Sequence, residues 1–159
     1  MKTIFFMVAL IATTFVQNSF AQDNTDKTQP DQLLTLYYSV KDALVSGKAN
    51  VAATNAAEFV KTANTLDAKA LPDESRNALV KSAGDISKTQ DLKKQREYFA
   101  DLSDQMFALA KATSLSSEPV YRAYCPMKKA SWLSSESAIK NPYYGSAMLT
   151  CGKVVETLK

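Results

Sequence analysis

The 159-residue chain contains no histidine, only two cysteines and only four glycines. Without histidine, it lacks the side chain that most often binds Zn²⁺ or Cu²⁺ and that most often acts as an acid or base near neutral pH. Ordinary Ser-His-Asp hydrolytic triads are therefore excluded. The scarcity of glycine, beside many alanine, leucine, lysine and serine residues, favours helices over turns and strands.

Long apolar runs are missing after the amino terminus. The apolar stretch 4–16 follows Lys2 and leads to Ser-Phe-Ala, a small-x-small cleavage pattern that ends at Ala21. It is shorter than the roughly 20 residues that span a membrane. We therefore predict a signal peptide over 1–21, cleaved near Ala21, with no membrane span after cleavage, and a periplasmic location.

An excess of one charge is also missing. Nineteen basic and sixteen acidic residues give a net charge of +3, with the signs interspersed, so we expect no electrostatic capture of nucleic acid.

Residues 22–29 have no large apolar side chain and are predicted to form a flexible leader. The remaining stretch, 30–159, has the length of one helical domain.

Four segments carry apolar residues at spacings of three and four, which is the pattern of an amphipathic helix. Short loops join them, so we predict an all-α fold, an up-and-down antiparallel four-helix bundle over 30–114. The helices are expected near 30–46, 50–66, 72–86 and 90–113. The expected core contains Leu36, Tyr37, Phe59, Val60, Leu79, Phe99, Leu102 and Met106.

The remaining segment, 115–159, differs in composition because it contains both cysteines and five aromatic residues. We predict that it is an irregular Cys/Met/aromatic-rich segment packed on the bundle. Short helical turns are expected near 134–139 and 144–151.

Sulfur is concentrated in this segment. Cys125 and Met127 are two residues apart, so they would face the same way in an extended chain. Met148 and Cys151 are three apart, so they would share one side of a helical turn. Two thiolates and two thioethers form a soft ligand set, which selects Cu(I), and by the same chemistry Ag(I). The predicted metal ligands are Cys125, Met127, Met148 and Cys151, with Trp132 and Tyr144 as candidate walls of the site.

The two cysteines have other interpretations. In an exported protein, a cysteine pair commonly forms a disulfide, which would contribute roughly 2–4 kcal/mol for a loop of this length, and free thiols are a third state. The methionines and Trp132 would also serve as ordinary apolar cover for the bundle. The spacing alone does not decide among these readings. We expect no enzyme, because the cysteines lack the closely paired motif of thiol oxidoreductases.

The carboxy-terminal segment contains three motifs: Cys125-Pro126-Met127, Trp132-Leu133-Ser134, and Asn141-Pro142-Tyr143-Tyr144-Gly145 through Met148-Leu149 to Cys151-Gly152. In these motifs the segment resembles the family called domain of unknown function 3347. This resemblance implies an exported protein with a helical body. Similar domains are fused to periplasmic adaptors of copper/silver efflux pumps, which implies handling of Cu(I) or Ag(I) with such an adaptor as partner. Relatives often carry a longer, glycine-containing insert where this chain has only residues 128–131.

Two functions follow as hypotheses. The first is a periplasmic module that binds or carries Cu(I) or Ag(I) and is linked to heavy-metal efflux. The second is a disulfide-stapled structural or interaction protein of the envelope with no role in metal handling.

Overall fold

The computed structural model describes residues 29–159, so the predicted signal peptide and the leader up to residue 28 lie outside the described part. The four predicted helices are confirmed, with ends within a few residues of the expected ones. They are α1 (Gln29–Val45), α2 (Ala49–Thr65), α3 (Asp73–Ser87) and α4 (Leu92–Ala112).

Local residues set several of the helix ends. After α1, Gly47 adopts a left-handed backbone (φ 68°), which glycine tolerates because it has no Cβ. Pro72 directly precedes α3, where its missing N–H has no cost. Asp91 caps α4 by accepting hydrogen bonds from the N–H groups of Lys93 (2.9 Å) and Lys94 (3.3 Å).

The all-α prediction is wrong, because the segment after α4 forms a three-stranded antiparallel sheet. Its strands are β1 (Val120–Cys125), β2 (Ala130–Ser134) and β3 (Lys153–Leu158), in the order β2-β1-β3. The region 134–139 contains no helix, whereas a 3₁₀ helix, Gly145–Met148, lies inside the expected turn at 144–151. The tail is therefore an ordered sheet with one long connecting loop.

The strands were not predicted from the sequence because their residues do not alternate cleanly between apolar and polar. Four consecutive residues of β2, from Ser131 to Ser134, are buried, since both faces of that strand are covered. In β3, the register shifts so that Arg122 pairs with Glu156 but Ala123 pairs with Val154. Val155 is thus an extra residue, a β-bulge. Exposure still alternates along β3, but the apolar Val155 is exposed and the charged Glu156 is half-buried, so the sequence does not show the alternation.

The helices enclose the core, and the core continues into the sheet. Of the eight predicted core residues, six are buried, while Leu36 and Val60 are partly buried against the same cluster. Each helix packs on the next one in sequence, and β2 packs on α4. Within residues 29–159, no helix is long and apolar enough to cross a membrane.

Aromatic rings connect α4 to the tail. Phe99 of α4 and Tyr143 of the β2–β3 loop have ring centroids 6.0 Å apart, and Tyr143 meets Trp132 of β2 edge to face at 6.0 Å. Such geometries are favourable for aromatic pairs. They fix the loop that carries residues 135–152 onto the helical body.

Candidate metal centre

The two cysteines lie side by side. Cys125 is the last residue of β1 and is fully buried, whereas Cys151, two residues before β3, is partly exposed. Their Sγ atoms are 3.5 Å apart and are not joined in a disulfide. A disulfide needs about 2.05 Å, and two thiolates that each lie about 2.3 Å from one tetrahedral metal are roughly 3.8 Å apart. The pair is therefore close to the spacing for one shared ion, and a small approach would let it form a bond.

The hairpin turn between β1 and β2 surrounds Cys125. Cys125 pairs with Ala130 across the two strands, so residues 126–129 form a four-residue turn that closes with Lys129 in a left-handed conformation (φ 56°). The backbone amides of Met127 and Lys128 lower the pKa of the Cys125 thiol. The extended backbone assumed for Cys125 and Met127 is thus replaced by a turn. The Met127 side chain is 64% exposed.

The segment before β3 positions Cys151. Its N–H donates to the carbonyl of Met148 at 3.1 Å, so the helical turn expected for this pair is present in the backbone. Met148 itself is 36% exposed. Gly152 follows with φ 145°, and a Cβ at that position would lie 2.8 Å from the Trp132 ring. Only glycine lets the chain pass so close to Trp132 and deliver Cys151 to Cys125.

Asn141 links the two cysteines, and sequence reasoning gave it no role beyond its place in a motif. The residue is fully buried, its side chain donates to the carbonyl of Cys151 at 2.7 Å, and it lowers the pKa of the Cys125 thiol. Its Oδ1 accepts from the N–H groups of Tyr143 (2.8 Å) and Tyr144 (3.3 Å). The available sequence signal was an Asn just before a Pro, which is typical of a turn closed by the Asn side chain.

The two thiols differ in acidity. Burial opposes ionisation of Cys125, but hydrogen bonds from the Lys128 amide, the Asn141 side chain, the Cys151 thiol and the Met127 amide outweigh it, so its pKa lies below the ordinary value. The pKa of Cys151 is raised, first because its thiol hydrogen-bonds to Cys125 and second by desolvation. The first negative charge therefore resides on the buried sulfur, while the accessible sulfur keeps its proton.

Trp132 and Tyr144, the candidate walls of the metal site, lie in different parts of the structure. Trp132 is 1% exposed, and its cross-strand partner Ala123 is two residues from Cys125, so Trp132 and Cys125 are on the same face of the sheet. Tyr144 lies in the loop next to Asn141 and lines a neighbouring cleft of about 450 Å³. That cleft is formed by Leu92, Lys93, Arg96, Glu97, Lys128, Tyr143 and Tyr144.

Harder ligands do not gather elsewhere in the described chain. Among residues 29–159, no group of three or more histidine, cysteine, aspartate or glutamate side chains is arranged to hold a metal ion.

Comparison with known proteins identifies the helical body. The family model described as "Protein of unknown function (DUF3347)" matches residues 33–118. This is more than half of the chain, which therefore belongs to that family. The matched stretch runs from α1 to just before β1, so it ends before the Cys/Met motifs on which the resemblance was based. Neither the curated proteins nor the solved structures yield a match.

Proposed function

We propose that this DUF3347 protein binds one monovalent soft metal ion, Cu(I) or Ag(I), between Cys125 and Cys151 and passes it on by ligand exchange. One observation carries the proposal: two sulfur atoms from distant parts of the chain lie 3.5 Å apart without a bond between them. Thiolates are soft ligands that prefer Cu(I) to magnesium, calcium or manganese.

The asymmetry of the pair suits a carrier. Cys125 is buried and surrounded by hydrogen-bond donors, so it serves as the anchoring thiolate. Cys151 is partly exposed, so a ligand from another protein can approach the ion from its side. Exchange at Cys151 would release the ion without moving the buried anchor.

Met127 and Met148 act in this proposal as weaker, exchangeable ligands. Both belong to the segments that carry the two cysteines, and both are exposed, to 64% and 36%. Thioethers are soft and neutral, so they add affinity for Cu(I) without adding charge. Their exposure favours a role in capturing or releasing the ion over a permanent structural role.

The location and the partner of the carrier are part of the proposal. The signal-like residues 1–21 support export to the periplasm. The resemblance to domains fused to periplasmic adaptors of copper/silver efflux pumps supports such an adaptor as the acceptor of the ion.

Cu(I) titration of the mature, reduced protein tests the proposal. A chromogenic chelator competes for the ion under anaerobic conditions, and we expect one equivalent bound per chain. Cys125→Ser and Cys151→Ser should each weaken binding by more than about tenfold, since even residues behind the ligands contribute that much in metal sites. Met106→Leu, in the buried core of α4, is the matched control and should bind like the parent. A reduced parent that binds no Cu(I) would exclude the carrier.

The alternative is a stapled structural or interaction protein, and the same sulfur spacing supports it. A disulfide would join the β1–β2 hairpin to the residue that leads into β3. Mass spectrometry of protein isolated from the cell envelope separates the two cases. A uniform loss of two hydrogens per chain, together with no Cu(I) binding after reduction, would favour the staple.

A further inference from the structure

We infer that Asn141 is a positioning residue of the sulfur pair: its buried side-chain amide, which donates to the Cys151 carbonyl, sets the separation of the two sulfurs. Asn141 does this in the metal-free protein. The positioning role therefore does not require metal binding. Only the use of the positioned pair as a metal site rests on the proposed function.

The amide of Asn141 has one possible orientation. Its nitrogen donates to the Cys151 carbonyl at 2.7 Å. Its oxygen accepts two backbone N–H groups, from Tyr143 and Tyr144. Both polar atoms of the amide thus have a partner, and the residue is fully buried. A buried amide that is hydrogen-bonded at both polar atoms is restrained in its position.

Cys151 has few backbone restraints of its own. Pairing of β3 with β1 begins only at Lys153, opposite Tyr124. The N–H of Cys151 donates to the Met148 carbonyl at 3.1 Å, and its carbonyl is held by the Asn141 side chain at 2.7 Å. The bond from Asn141 therefore restrains the carbonyl side of Cys151, next to Gly152, a residue type that allows more backbone conformations than any other. Loss of this bond would leave the Cys151 sulfur less firmly placed beside the buried Cys125.

The backbone of Asn141 closes the loop independently of its side chain. Its N–H donates to the Leu149 carbonyl at 2.8 Å, and its carbonyl accepts from the Gly145 N–H at 2.9 Å. Substitution of the side chain therefore leaves these two bonds available. Asn141→Ser is the sharpest variant, because serine can still accept the Tyr143 N–H but has no amide to reach Cys151, and it adds no charge.

The equilibrium of the reduced, metal-free protein with glutathione disulfide measures the separation of the sulfurs. In this reaction the two thiols lose two protons and two electrons and form one S–S bond, and glutathione disulfide is reduced to two glutathione molecules. Two thiols that are held close together form a disulfide more readily than two thiols that can move apart. We expect Asn141→Ser to lower the equilibrium constant for closure at least about tenfold, which is about 30 mV in reduction potential.

Two controls separate positioning from general loss of stability. Asn55→Ser removes a similar amide bond, from Asn55 to the Ser39 carbonyl at 3.1 Å, between α2 and α1. Tyr143→Phe removes the hydrogen bond from the same loop to the Ser131 carbonyl but leaves Asn141 in place. Both controls should close like the parent within about twofold. The inference is overturned if Asn141→Ser closes like the parent, or if Tyr143→Phe lowers closure as much as Asn141→Ser.

A measurement on the parent covers the case in which Asn141→Ser does not fold, as judged by the near-ultraviolet circular dichroism of Trp132. The side-chain amide protons of Asn141 should exchange with solvent deuterium at least about tenfold more slowly than those of the exposed Asn50, because the Asn141 amide is buried and donates to the Cys151 carbonyl. Equal exchange rates for the two side chains would mean that Asn141 does not hold Cys151.

Discussion

The hydroxyl of Tyr37 on α1 accepts a hydrogen bond from the backbone N–H of Leu133 on β2 at 3.0 Å. The same hydroxyl lies 2.7 Å from the Ser103 hydroxyl on α4. All three residues are buried, so one side chain joins two helices to the sheet that carries Cys125. The placement of the sulfur site thus depends on a polar contact inside an otherwise apolar core.

Tyr37→Phe should destabilise the protein by about 1–3 kcal/mol, because the Leu133 N–H and the Ser103 hydroxyl would lose their buried partner. Denaturant unfolding of the reduced protein measures the change. Tyr38→Phe is the matched control, since the Tyr38 hydroxyl is buried without a hydrogen-bond partner among the described residues. That control should be neutral or slightly stabilising, and equal losses in both variants would contradict the role given to Tyr37.

Gly152→Ala should destabilise the protein by about 1–3 kcal/mol and separate the sulfurs, because the new Cβ would be forced into the backbone and ring beside it. It would lie 2.8 Å from the Trp132 ring and 3.0 Å from the Tyr124 carbonyl. Unfolding free energy and closure by glutathione disulfide are the two measurements.

Gly84→Ala should change the stability of the protein in the opposite direction. Gly84 lies inside α3, and a Cβ there meets nothing within 4 Å. The substitution should stabilise the protein by about 0.5–1 kcal/mol, because alanine loses less conformational freedom in a helix. If both glycine variants changed stability in the same direction, the close approach at Gly152 would not be the cause.

The acidity of Cys125 predicts a pH dependence. In Cys151→Ser, the ultraviolet absorbance of the Cys125 thiolate should appear at a lower pH than in the unfolded protein, because Lys128, Asn141 and Met127, which lower the pKa of Cys125, remain. A folded-state pKa that is lowered adds stability above the unfolded-state pKa. We therefore expect this part of the unfolding free energy to be lost as the pH falls through the folded-state pKa of Cys125. A titration centred at or above the ordinary value would refute the donor arrangement.

Met148→Leu should separate packing from metal binding. Leucine preserves the volume, so the cost in stability should stay below about 1.5 kcal/mol. If Met148 supplies a thioether ligand, the variant should also bind Cu(I) more weakly than the parent in the chelator competition. Unchanged affinity would remove Met148 from the ligand set while leaving the two thiols in it.

The sequence predicted the helices well because their signal is local. Apolar residues such as Phe59 and Phe99 recur at the helical period and face one core, and residues such as Gly47 and Pro72 mark the ends. The strands gave no comparable signal. Burial on both faces removes the expected alternation from β2. In β3, exposure alternates but Val155 is exposed and Glu156 is half-buried, so apolar and polar residues do not follow it.

The sulfur site, too, was only partly predictable from the sequence. The pairing of Cys125 with Cys151 was predictable because the chain contains no other cysteine, whereas the arrangement around them was not. Met127 was assumed to extend from Cys125, but residues 126–129 form the hairpin turn that a following strand requires. The role of Asn141 depends on contacts with residues that only the folded loop brings together.

The direction of β3 has a consequence for local opening of the chain. β3 begins at Lys153 beside Tyr124, close to the sulfurs, and runs away from them to Leu158 beside Val120. β3 is an edge strand, and the residues just before Lys153 are held by the Asn141 side chain and by packing of Gly152 on Trp132. Amide hydrogen exchange should therefore be faster near Leu158 than near Lys153. Local opening of β3 at Leu158 thus leaves Cys151 next to Cys125.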